Sequence, residues 1–217
     1  MIHINVIQVH LFDTQQMCMA IPVIKNADKK ASSPEDLPGD LAIWMFIYAE
    51  LMVFGVFFVT YIVTRSNNVE LFNQYQLTLD ARLGLINTLV LLTSSFFVVK
   101  SVNATKRDDK DRAVFWLFAS VLTGIIFVVI KSYEFYSKYS EGINLSTNTF
   151  YTFYLSMTFF HYMHVILGLV ILSAMLLKAN RGGYCSTDMH GLETGASYWH
   201  MVDLVWVVLF PLVYLIR

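Results

Sequence analysis

The sequence predicts an all-α fold, a polytopic membrane helix bundle with five transmembrane helices. Three observations predict it. The chain has 217 residues, of which 56% are hydrophobic and only 14% charged, whereas a soluble domain carries about a quarter of its residues as Asp, Glu, Lys and Arg. The mean hydropathy is +0.55. The charges gather between long apolar runs, five of which approach or exceed the roughly 20 residues that cross a hydrocarbon core as a helix.

Residues 1–37 read as a polar N-terminal extension, with a partly alternating start (MIHINVIQVHLF) and a Pro-broken linker (NADKKASSPEDLPGD). No basic stretch precedes an apolar core there, so the segment does not read as a secretory signal. Met1, Met17 and Met19 are alternative starts. Residues 38–217 read as one five-helix domain.

The first run, Leu41–Val63, carries Glu50 nine residues in, roughly 14 Å deep at the helical rise. A carboxylate at that depth costs about 2.5–3.5 kcal/mol on insertion scales. Such a group is retained only if it is protonated, paired or turned toward another helix. The second run, Leu83–Val102, holds Asn87 near its start. The third, Ala113–Lys131, leads into Glu134, three residues after Lys131 and so on the same helix face, where the two charges can neutralise each other. The fourth, Thr149–Leu177, holds His161 and His164 at the same spacing. The fifth, Ala196–Ile216, holds His200 and Asp203, with Glu193 just before it. Pro211 is expected to kink this helix one turn from its exit.

The basic residues set an orientation. The N-terminal tail and the second-to-third and fourth-to-fifth connections hold ten of the 15 Lys and Arg. The positive-inside rule then puts the N-terminus in the cytoplasm and the C-terminus outside. Trp44, Trp116, Tyr151, Trp199 and Tyr214, at span ends, are expected in the interfacial aromatic belts.

Several functions are excluded. A net charge of −1 and no basic cluster with interleaved aromatics argue against nucleic acid. Cys18 and Cys185 show the close spacing of neither a metal site nor a disulfide framework. No nucleophile elbow or phosphate loop is present. Glu134 with His161 and His164 can be drawn as a 2-His-1-carboxylate metal set. Helical rise spreads those groups over the membrane thickness, with Glu134 at the outer end, His164 about 22 Å in, and His200 and Asp203 near the inner surface. The same spread disfavours a bis-His haem, which needs histidines at matched depth. The residues alone therefore leave two readings: buried polar contacts that lock helices together, or a membrane enzyme with a His/carboxylate metal. A proton channel through Glu50 is a third, without the inverted repeat or broken helices of a transporter.

At these residues the chain resembles subunit III of the haem-copper oxidases, from about Pro38 to Arg217. Gly191-Leu192-Glu193 and Tyr198-Trp199-His200-Met201-Val202-Asp203-Leu204-Val205-Trp206 are similar to the family's Glu and Trp-His-Phe-Val-Asp-Val-Val-Trp pattern. Ala49-Glu50-Leu51, Asn87-Thr88 and the His161–Gly168 stretch fall in the family's order. The chain departs in lacking the first two of seven helices, in Tyr162 where glycine is frequent, and in Phe135 where tyrosine is usual. Pro38-Gly39-Asp40-Leu41-Ala42 and His200-Met201-Val202-Asp203-Leu204 resemble still more the subunit-III-like protein associated with bacterial nitric oxide reductases.

The resemblance implies a non-redox accessory subunit of a respiratory complex in the bacterial cytoplasmic (inner) membrane. It would bind no cofactor itself and would lie beside a large haem-bearing catalytic subunit carrying haem and copper, or iron. It would support assembly, stability and proton uptake, and would hold structural phospholipid. Glu50 would match the family's carbodiimide-reactive carboxylate, either a neutral acid hydrogen-bonded across helices or a proton relay. Asn87, Glu134, His161, His164, Glu193, His200 and Asp203 would form the family's polar interior.

Overall fold

The computed structural model describes residues 41–216 except Thr187. It contains α1 (Leu41–Asn67), α2 (Val69–Gln76), α3 (Ala81–Lys106), α4 (Lys110–Ser140), α5 (Thr149–Asn180) and α6 (His190–Phe210), and ends in a π-helical turn, Pro211–Leu215. Five of the helices are long and apolar enough to cross a membrane, and no strand occurs among the described residues. Helices suit this setting because each backbone group is satisfied within its own segment, where lipid offers no partner. The expected N-terminal extension, residues 1–37, lies outside the described residues.

Helix ends follow local chemistry. Asp80, Asp109 and Asn148 each turn a side-chain oxygen onto free amides of the first turn, at 2.9 Å to Arg82 N, 3.2 Å to Arg112 N and 2.9 Å to Tyr151 N. α4 and α5 stop at Gly142 and Gly182, whose φ values of 78° and 74° are left-handed and cost glycine nothing. The bonds from Ile143 N to Lys138 O and from Gly183 N to Lys178 O close both ends.

The helices outrun the apolar runs. α4 continues to Ser140, nine residues past Lys131, and α6 begins at His190, six residues before Ala196. Hydropathy locates the part of a helix in hydrocarbon, whereas hydrogen bonding continues into polar turns outside it. The connection between the first two apolar runs contains α2. Its Phe72 is fully buried, edge-on to Tyr61 at 5.3 Å and to Phe150 at 5.5 Å. In place of a simple kink, Pro211 opens the π turn, closed by Ile216 N on Pro211 O at 2.9 Å. Gln76 Nε2 of α2 donates to Val213 O in that turn.

α6 lies at the centre. Of its most apolar stretch 67% is buried, against 11% for α1 at the edge. It packs against α1, α3 and α5. Small residues permit this. A Cβ on Gly168 would meet Trp199 at 2.7 Å, and one on Gly124 would meet Leu169 at 2.6 Å and Trp199 at 3.1 Å. The indole of Trp199 thus fills a slot cut by two glycines of α4 and α5. α3 and α4 are joined by Ser94 Oγ on Ser120 O at 2.9 Å and Ser101 Oγ on Ala113 O at 2.9 Å.

Candidate functional site: the buried polar network

Glu50 does face another helix. Its Oε2 lies 3.0 Å from His164 Nε2, joining α1 to α5. The imidazole's other nitrogen, Nδ1, lies 2.8 Å from Phe160 O. A carbonyl only accepts, so Nδ1 carries a hydrogen. The Glu50–His164 bond therefore holds one proton between the two groups, as acid and imidazole or as carboxylate and imidazolium. Either form has no net charge, which is what hydrocarbon tolerates. Phe160 and Phe54 cover the ring at 4.7 and 5.5 Å between centroids, and Tyr198 O–H donates to His164 O at 3.3 Å.

His161 faces α6. Its Nε2 donates to Val202 O at 3.1 Å, against Trp206 and Phe127. Its Nδ1 is buried without a partner among the described residues. Asn87 is fully buried, and neither atom of its amide is hydrogen-bonded among the described residues. One residue on, Thr88 Oγ1 accepts from Trp206 Nε1 at 3.0 Å.

Lys131 and Glu134 do more than neutralise each other at a helix end. Both are buried, within a helix that runs on past them. Lys131 Nζ donates to Glu134 Oε2 at 3.1 Å and to the Tyr214 hydroxyl oxygen, Oη, at 2.8 Å. The other carboxylate oxygen of Glu134 accepts from Tyr154 at 2.6 Å and from Tyr214. The rings of Phe135, Tyr154, Trp206 and Tyr214 surround the ammonium at 5.2–5.4 Å. Buried charge survives because the ammonium has two acceptors and the carboxylate three donors, with no charge left unpaired. Phe135 and Tyr162, the two departures from the family pattern, touch each other edge-on at 5.6 Å.

His200 faces α3, with Nδ1 2.6 Å from Ser95 Oγ and 4.0 Å from Asp203 Oδ2. Glu193 lies within the first turn of α6, 3.9 Å from Lys106 at the end of α3.

The depths need correcting. His200 bonds to Ser95, near the midpoint of α3, and so lies deeper than its place four residues into the apolar run implies. The bond from His161 to Val202 puts the histidines of α5 level with that part of α6. The polar groups are less spread in depth than the apolar runs imply. They still face different neighbours, and among the described residues no three His, Cys, Asp or Glu converge where they could hold a metal ion. The aromatic belt is corrected as well. Trp199, Tyr151 and Tyr214 are buried, at 0%, 3% and 3% exposure. The sequence reading missed Tyr154, Tyr214, Ser95 and Tyr198 as partners of the network. Their only sequence signal is a polar atom on an otherwise apolar helix, which belt residues share.

The family model for cytochrome c oxidase subunit III matches residues 38–216. The chain is similar to cytochrome c oxidase subunit 3 of Synechocystis sp., 32% identical over 173 residues that cover 79% of this chain and 73% of that one. It is similar to cytochrome c oxidase subunit 3 of Thermostichus vulcanus, 29% identical over 177 residues covering 81% and 86% of the two chains. It is also similar to the probable quinol oxidase subunit 3 of Staphylococcus aureus, 30% identical over 176 residues covering 81% and 88%. With all five membrane helices inside the matched segment, the chain belongs to the cytochrome c oxidase subunit III family.

Proposed function

We propose that this chain is a non-redox accessory subunit of a haem-copper terminal oxidase, set beside a catalytic subunit that carries haem and copper. The observation that carries the reading is the family match over residues 38–216, which takes in all five membrane helices found among the described residues. The oxidase names of the relatives favour it over an accessory protein of nitric oxide reductase. The geometry agrees with a subunit that is built to hold its shape. Glu50, His164, His161, Lys131 and Glu134 each make at least one hydrogen bond to a neighbouring helical element.

The chain lies in the bacterial cytoplasmic membrane with its N-terminus inside. Lys131, buried in the bundle, no longer counts as a connecting charge, which sharpens the basic asymmetry that sets this orientation. It supports assembly, working life and proton uptake of its partner, holds structural phospholipid, and itself binds neither haem nor metal. Glu50 and His164 tie α1 to the bundle, and a proton held between them is available to a relay.

Deleting the gene tests this. The partner should keep its haem spectrum and initial turnover, and lose activity sooner during sustained turnover. An unchanged partner, in amount and lifetime, would count against the reading.

A further inference from the structure

One face of α6 is left uncovered. On one side α6 meets α1, with Tyr198 stacked on Phe46 at 6.1 Å. On the other it meets α3, where His200 binds Ser95. Between these contacts runs a stripe at helical spacing that includes His200, Leu204 and Val208, the last two 55% and 44% exposed. Ser95 stands near the midpoint of α3, a helix of 26 residues. His200 is therefore close to the bilayer centre. Its side chain is nevertheless 38% exposed. Nδ1 is taken by Ser95, and Nε2 has no partner among the described residues. Whichever nitrogen carries the hydrogen, Nε2 is left with a donor or an acceptor unmet.

Hydrocarbon supplies no partner at that depth, and an unmet polar group there is costly. A lipid chain can cover Leu204 and Val208 but leaves the imidazole open. We propose that this face, between α1 and α3, receives a transmembrane helix of the catalytic subunit. That helix is apolar along its length and brings one hydrogen-bonding group, a side chain or a free carbonyl, to His200 Nε2. The proposal rests on the accessory-subunit reading and adds to it the face and the contact. Lys25, Asp28, Lys29 and Lys30 make the stretch 25–30 unsuitable as an occupant at mid-membrane.

The test is photo-crosslinking in native membranes, with a benzophenone amino acid incorporated at Leu204. The controls are Val129 on α4 and Val170 on α5, each 61% exposed on other faces. The expected result is an adduct to the haem-bearing subunit from Leu204 and not from the controls. Adducts from a control at equal or higher yield overturn the proposed face while the accessory reading stands. An adduct of twice this chain's mass from Leu204 assigns the face to a second copy and overturns it as well. Failure of all three positions to reach any other subunit overturns both readings. In parallel, His200→Gln, which keeps a hydrogen-bonding amide, should hold the partner. His200→Leu should lower the partner recovered per chain about threefold, the effect of one average interhelical hydrogen bond. Undiminished recovery with His200→Leu overturns the proposal.

Discussion

Glu50 Oε2 lies 3.0 Å from His164 Nε2, a bond between residues 114 positions apart that fastens the least buried membrane helix to the bundle. The mid-membrane carboxylate is thus explained by a partner. Because His164 Nδ1 is committed to Phe160 O, the pair needs one proton and carries no net charge.

Glu50→Gln should preserve assembly, since the amide can donate to His164 Nε2. Glu50→Leu should weaken the complex by about 1 kcal/mol, and His164→Leu by a similar amount. The double variant should cost clearly less than the two singles added. Melting temperatures of the four purified complexes close the cycle. Strict additivity would mean that the contact carries no coupling energy.

Lys131 and Glu134 should behave as a buried pair. Lys131→Met leaves Glu134 as an uncompensated carboxylate, and Glu134→Gln leaves a lone ammonium. Each should cost about 3–5 kcal/mol, enough to lower the amount of chain in the membrane. Lys131→Met combined with Glu134→Leu should recover much of the loss, short of what Tyr154 and Tyr214 forfeit as their hydroxyls lose partners. Quantitative immunoblots of membranes from the three strains read this. A double variant as depleted as the worse single would contradict it.

The glycines should separate into two kinds. Gly168→Ala drives a methyl into the Trp199 ring, which cannot retreat from its slot, and should cost about 1–3 kcal/mol. Gly55 lies in α1 with nothing within 4 Å of a Cβ, so Gly55→Ala should be neutral or stabilise by up to about 1 kcal/mol. Thermal unfolding in one detergent compares them directly. Equal effects would mean that the slot does not decide the packing.

Much of this fold was legible in the sequence, because hydropathy and length alone mark a spanning helix. All five spans were placed, with ends too short by up to nine residues, since hydropathy does not follow a helix into water. The helix faces were harder to read. Where lipid and protein interior are both apolar, no amphipathic stripe marks the inner side. Tyr214 therefore read as a belt residue although it binds Lys131, and Trp199 did so although it fills the glycine slot. The candidate residues were found because polar groups in apolar runs are conspicuous. Their partners were not, because a bond such as that of His200 to Ser95 spans 105 positions. The depth of His200 was misread for the same reason, since its level is set by Ser95 on another helix.

Topology offers a separate check. Reporter fusions after Lys110 and after Arg217 should report the cytoplasm and the outside respectively. Both on one side would require an even number of spans between them, against the three helices α4, α5 and α6.

The central claim is that this chain does no redox chemistry and works bound to a subunit that does. The most direct measurement is gentle solubilisation of native membranes with the full chain tagged, followed by separation of the captured subunits. The account predicts a large haem-bearing subunit in the captured complex, and, after separation, no Soret band and no stoichiometric copper, iron or zinc with this chain. A separated chain that keeps its own haem or metal and turns over by itself would contradict the account.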